Sequence, residues 1–143
     1  MEAKTIKLFQ RIAANSLRPL PNLTVSDWAD QYRMLSSESS AEPGRWRTDR
    51  APYQKAIMDA FTDLDVRRVV VMSCSQVGKS DIMNNVIGRF AHLAPAPILM
   101  IQPTVDMAQD YSKSRIAPMI RDTKALRDIF QDVKSRESGN TIL

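Results

Sequence analysis

The stretch RRVVVMSCSQVGKSDIMNNVIGRFAHLAPAPILMIQ, residues 67–102, constrains the fold more than any other part of the chain. Residues 68–73 place Val69, Val70, Val71 and Met72 in a row without alternation, the pattern of a strand covered on both faces and therefore of a parallel sheet. From Lys79 to about His92, the residues Ile82, Met83, Val86, Ile87 and Phe90 recur at helical spacing, until Pro95 and Pro97 stop the helix. ILMIQ, residues 98–102, reads as a second uninterrupted apolar strand. The order and length are those of one strand, helix, strand crossover. The expected fold class is α/β, a parallel sheet flanked by helices, incomplete within this chain.

The junction between the first strand and its helix carries SCSQVGKS, residues 73–80. At the first turn of a helix, unpaired backbone N–H groups and the positive end of the helix dipole point outward together and favour a phosphate. The P-loop pattern is Gly, four residues, Gly, Lys, then Ser or Thr. Gly78, Lys79 and Ser80 fill its last three places, while Ser73 stands where the first glycine belongs. A Gly-Lys-Ser tripeptide also opens helices by chance; the valine strand, the small residues Ser73, Cys74 and Ser75, and the crossover to ILMIQ favour phosphate binding. Cys74 reads as a small loop residue, with no catalytic partner near it. A P-loop ATPase also needs a carboxylate at the end of another buried strand. ILMIQ ends in Gln102 and Pro103, and Asp106, Asp122, Asp128 and Asp132 lie in helical, charge-rich surroundings. The chain is therefore expected to hold a triphosphate without hydrolysing it efficiently.

Around this unit, Pro19 and Pro21 argue against helix until Ser26, read as an N-cap for a short amphipathic helix over Asp27–Leu35 with Trp28, Tyr32 and Leu35 on one side. SSESSAEPGRW reads as a loop, followed by Arg45, Arg47 and Arg50 clustered around Trp46. A helix is expected from Pro52 to Leu64, and further helix beyond Thr104 through Met107, Tyr111 and Ile116 to Phe130, with Pro118 breaking or starting it. The tail KSRESGNTIL has no visible packing partner, and no internal repeat is present. The division expected is an N-terminal helix and basic loop over 1–50, a possible partner-binding segment, and the front of an ATPase domain over 51–143.

Composition adds limits rather than identity. With 143 residues, 43% hydrophobic and 25% charged, the chain suits one globular domain. A net charge of +4 suits an anionic partner without requiring one. The single cysteine rules out an internal disulfide, the start MEAKTIKLFQRI lacks the apolar core of a signal peptide, and no apolar stretch approaches a membrane span.

Three segments in order, VSDWADQYRMLSSESSAEPGRWRTDRAPYQKAIMDA, VVVMSCSQVGKSD and PAPILMIQPTVDMAQDYSKSRIAPMIRDT, resemble the N-terminal ATPase part of phage terminase large subunits of the lambda-like group. The likeness runs from about residue 23 to the end. It implies an ATP-driven motor that pumps double-stranded DNA through the portal of a procapsid, with ATP and Mg2+ as cofactors. The partners it implies are a small terminase subunit and further copies of the same chain in the working motor, in the host cytoplasm, with no membrane. By position it implies Ser75, Gln76, Val77, Gly78, Lys79 and Ser80 as the phosphate loop. Lys79 is the phosphate ligand and catalytic lysine, and Ser80 is the magnesium ligand. Tyr53 and Gln54 match the segment that contacts adenine in related motors; Tyr53 could equally cover the core. The family's carboxylate strand and nuclease follow after a segment like KSRESGNTIL, so the chain reads as an N-terminal piece. Many such subunits carry an arginine inside the phosphate loop, and this loop has none. Arg45, Arg47 and Arg50 are the candidates to replace it or to contact DNA, with a solvated basic loop as the default. Two other readings stand beside this one: a noncatalytic piece that binds DNA or the small subunit, and a helicase-like translocase sharing the loop and the element at Pro103 and Thr104.

Overall fold

The computed structural model describes residues 21–38 and 40–130. Its elements in chain order are α1 (Val25–Tyr32), β1 (Met34–Leu35), β2 (Gly44–Arg45), a 3-10 turn (Thr48–Arg50), α2 (Tyr53–Asp59) with a 3-10 extension (Ala60–Thr62), and α3 (Lys79–Leu93). Then follow α4 (Val105–Tyr111), a π turn (Ser112–Ile116), α5 (Ala117–Asp122) and α6 (Lys124–Phe130). The expected tail at 131–143 lies outside the described residues.

Helix α1 starts earlier than Ser26. The Thr24 hydroxyl accepts from the Asp27 N–H at 3.2 Å and caps the helix, while the Ser26 N–H donates to Asp59 Oδ1 at 3.0 Å. Both residues are capping types; complete burial of Val25 draws the first turn back to include it. The helix also stops short of Leu35, because Arg33 takes an extended conformation and Met34–Leu35 pairs antiparallel with Gly44–Arg45. The segment read as a featureless loop is thus closed by a minimal hairpin, in which Gly44 takes φ +127° at the start of β2. Two-residue strands carry no periodicity, so nothing in the sequence pattern announces them.

The parallel sheet expected from the two apolar runs is not seen among the described residues. Among the described residues the one sheet is β1–β2, and neither 68–73 nor 98–102 joins a ladder. Val69 and Val71 line a groove against α3, while Val70 and Met72 are 80% and 98% exposed. Met100 and Gln102 face α3 and α4, while Leu99 and Ile101 are 84% and 81% exposed. A strand needs a neighbour to pair its N–H and C=O groups, and here the runs pack by their inward side chains alone.

The buried core is drawn from both sides of residue 50: Val25, Trp28, Ala29 and Trp46 meet Met58, Ile82, Val86, Leu93, Met119 and Leu126. Each fully buried side chain of the size of Met58 or Leu126 contributes about 1.5–3 kcal/mol of transfer free energy. Helix α3 is the central strut. Its buried positions face α1, α2 and α6, which fixes the direction in which its N-terminus points.

Candidate phosphate-binding loop

Helix α3 begins at Lys79 with Gly78 as its N-cap residue, at φ +77° and ψ +22°. Gln76, two residues earlier, also has positive φ, +61°. A left-handed conformation costs an L-residue roughly 1–2 kcal/mol, so the turn holds Gln76 against its preference. Alternation of right- and left-handed residues turns successive peptide N–H groups toward one concavity. Among the described residues no hydrogen bond takes up the N–H groups of Gln76, Val77, Gly78, Lys79 or Ser80. Those donors sit at the positive end of a 15-residue helix. A donor set of this kind fits a phosphate.

The loop is held from outside by the first turn of α2. Tyr53 Oη and Gln54 Nε2 each donate to the carbonyl oxygen of Val77 at 3.0 Å. Glycine at 78 is favoured by its φ of +77°, and a Cβ there would lie 2.4 Å from Gln54 Nε2 and push that side chain aside. Gln54 is buried, and its Oε1 has no hydrogen-bond partner among the described residues. Tyr53 is 57% exposed and keeps most of its ring open. Lys79 Nζ donates to the carbonyls of Ser73, at 3.4 Å, and Cys74. Ser75, Gln76, Lys79 and Ser80 are exposed, and Val77 and Gly78 are half-buried. All eight residues singled out from the sequence therefore lie on one loop and the helix turn that supports it.

Two grooves flank the start of α3. Lys79 lines one of about 250 Å³ together with Phe61, Val69, Val71, Ile82 and Met83. Ser80 lines the other, about 440 Å³, together with Gln102, Asp106, Asp110, Tyr111 and Arg115. Among the described residues no group of three His, Cys, Asp or Glu side chains is placed to hold a metal ion.

Sequence reasoning did not find the groups that grip the first turn of α3. Arg33, 2% exposed, donates from Nε to Asn85 Oδ1 at 3.2 Å and from Nη1 to the Met34 carbonyl at 2.7 Å, with Nη2 3.8 Å from Asp81 Oδ1. Burial pulls the Arg33 pKa down and pushes the Asp81 carboxyl up, and each charge partly offsets the other's shift. Tyr111 donates to Asn84 Oδ1 at 2.7 Å and approaches the Ser80 carbonyl at 3.2 Å. Burial, with Asp81 nearby, pushes its phenol up to about 12. The one sequence signal available was Asn84-Asn85, two polar residues inside an otherwise apolar helical stripe.

The arginines expected around Trp46 are engaged locally. Arg45 Nε donates to the Asp30 carbonyl at 2.8 Å, Arg47 pairs with Asp49 at 3.0 Å, and Arg50 pairs with Glu42. None of these contacts reaches the loop. The two ion pairs, Arg47–Asp49 and Arg50–Glu42, are exposed and individually contribute little, on the order of 0–1 kcal/mol.

Comparison with known proteins gives a consistent picture. The family described as phage terminase large subunit gpA, ATPase domain, matches residues 40–143. The terminase large subunit of Enterobacteria phage P21 is 32% identical over 124 residues, covering 87% of this chain and 19% of that protein. The terminase large subunit of Escherichia phage lambda is 31% identical over 142 residues, covering 99% of this chain and 22% of that protein. The chain thus spans about a fifth of the length of these curated relatives. No solved structure matches it.

Proposed function

The chain belongs to the phage terminase large-subunit family, within that subunit's ATPase domain, and from that premise we propose that residues 75–80 hold the phosphates of ATP for a DNA-packaging motor. The observation that carries this reading is the set of unpaired N–H groups from Gln76 to Ser80 at the start of α3, shaped by two left-handed residues. Lys79 is the cation for the β/γ oxygens: its ammonium already rests on loop carbonyls and needs only a side-chain rotation to turn toward phosphate. The Ser80 hydroxyl is the protein ligand for Mg2+, and the bound ion would bridge and neutralise phosphate oxygens.

Tyr53 and Gln54 serve the adenine end of the same site. The exposed Tyr53 ring offers a face on which a base can stack. Gln54 Oε1 is a buried acceptor without a partner, and an exocyclic amino group is a donor. Segments 68–73 and 98–102 are, in this reading, strands of an NTPase-type parallel sheet. The exposed rows Val70, Met72 and Leu99, Ile101 are the apolar surface that pairing and a covering layer would bury.

The motor's substrate is double-stranded DNA, and its partners are a small terminase subunit, the portal of a procapsid and further copies of the chain, in the host cytoplasm. Among the described residues no helix is long and apolar enough to cross a membrane. A DNA- or subunit-binding role centred on residues 25–50 draws less support. Trp28 of α1 is fully buried in the core, and Arg45, Arg47 and Arg50 are already engaged by neighbours.

The test is calorimetric titration of ATP into the chain and its Lys79→Ala variant. Loss of the lysine is expected to weaken binding at least tenfold, the effect of about 1.4 kcal/mol of lost charge-assisted contact. Equal affinity in the variant would remove the loop as the nucleotide site.

A further inference from the structure

The first turn of α3 is gripped twice, at positions one residue apart and one turn long. Tyr111 bridges Ser80 and Asn84, which are i and i+4: its hydroxyl lies 3.2 Å from the Ser80 carbonyl and 2.7 Å from Asn84 Oδ1. Arg33 bridges Asp81 and Asn85, again i and i+4, at 3.8 Å and 3.2 Å. Asn84 and Asn85 are 1% and 0% exposed, so the anchoring end of each bridge is fixed in the core. The other ends, Ser80 and Asp81, lie at the loop. Tyr111 is also the last residue of α4, and the helix widens into a π turn at the next residue, Ser112. Single π turns inside helices recur at functional sites because they re-aim side chains.

Geometry separates what the two bridges control. Lys79 lines a groove with Phe61, Val69 and Val71, and Tyr111 does not line it. Ser80 and Tyr111 line the other groove together. The phenol's one proton, shared between Asn84 Oδ1 and the Ser80 carbonyl, ties Ser80 to the buried Asn84 and restrains the residue that carries the hydroxyl. Tyr111 thus contacts Ser80, while the hydrogen bonds of the Lys79 ammonium go to Ser73 and Cys74.

We propose that Tyr111 is a positioning residue for the Ser80 hydroxyl, so that it governs the magnesium-dependent part of nucleotide binding and not the phosphate contact made by Lys79. This rests on the reading of residues 75–80 as the ATP-binding loop. It ties the segment that follows Pro103 and Thr104 to the metal end of the site through one phenol.

The experiment titrates the full chain with ATP in excess Mg2+ and with ATP in EDTA, and takes the ratio of the two dissociation constants as the magnesium enhancement. It is run on the wild type, Tyr111→Phe, Ser80→Ala, the double variant and Lys79→Ala, with a thermal midpoint for each. Tyr111→Phe removes one oxygen and is expected to fold. It is predicted to reduce the enhancement about fivefold, the effect of one lost hydrogen bond, while affinity in EDTA stays at the wild-type value. Ser80→Ala abolishes the enhancement, and adding Tyr111→Phe to it changes nothing further, as expected of two groups acting as one. The proposal is overturned if Tyr111→Phe weakens binding equally with and without Mg2+, if it has no effect on either, or if its effect adds fully to that of Ser80→Ala. Failure of the underlying reading shows separately, as a Lys79→Ala variant that binds ATP like the wild type in both conditions.

Discussion

Gln54 shows how one residue's role depends on its surroundings. From sequence it is an amide before a strand, matched to adenine contact by position. In the structure its Nε2 holds the Val77 carbonyl and sits where a Cβ on Gly78 would collide, so it also shapes the loop. No spacing rule reveals that, because Gln54 and Gly78 meet only through the packing of α2 against α3. His92 makes the same point. It is the chain's one histidine, and in the structure its Nδ1 accepts from Trp28 Nε1 at 3.0 Å, with the Tyr32 ring edge-on at 5.0 Å. That acceptor role requires the neutral ring, and burial lowers its pKa from the ordinary value of about 6.5. Above that value both folded and unfolded states are neutral and the contribution is intact. As pH falls below it, the unfolded chain binds the proton first and stability declines until the folded pKa is passed. The thermal midpoint is therefore expected to drop as pH falls below about 6.5, and His92→Gln, which keeps an acceptor, is expected to flatten that drop. An unchanged slope in the variant would assign the dependence elsewhere.

At the scale of elements, what was legible was what periodicity encodes. Helix α3 runs Lys79–Leu93, within a residue of the reading from Ile82, Val86 and Phe90, and Thr104 caps α4 by accepting from the Met107 N–H. The β1–β2 hairpin was not legible, because two residues per strand set no pattern. The valine run and ILMIQ carry a strand's composition but not a ladder, since pairing is a property of a neighbour and not of the segment itself. The contact of α1 with α3 was hidden in a different way. Gly88 lies inside α3, and a Cβ there would lie 2.3 Å from Trp28 Cη2. The glycine lets a fully buried indole reach the helix backbone. Gly88→Ala gains up to about 1 kcal/mol in helix propensity but forces the indole out of place. The net expectation is destabilisation of about 1–2 kcal/mol, measurable as a lower denaturation midpoint. A stabilised variant would mean that α1 and α3 do not pack this way.

Over the whole molecule, three separate parts of the chain converge on the start of α3. Residues 53–54 hold the Val77 carbonyl, Arg33 faces Asp81, and Tyr111 meets Ser80. The core runs through α1, α2, α3, α5 and α6 without a break at residue 50, so the basic loop and the candidate site belong to one packed body. Resemblance of three segments pointed to the family, and the comparisons establish it. Loop geometry is the physical argument for the phosphate site proposed at residues 75–80. The most direct test of that claim is hydrogen–deuterium exchange of the full chain with and without MgATP. The account predicts slowed exchange at the amides of Gln76, Val77, Gly78, Lys79 and Ser80 when nucleotide is present. Unchanged exchange across those five amides, with protection appearing instead around Arg45–Arg50, would contradict it.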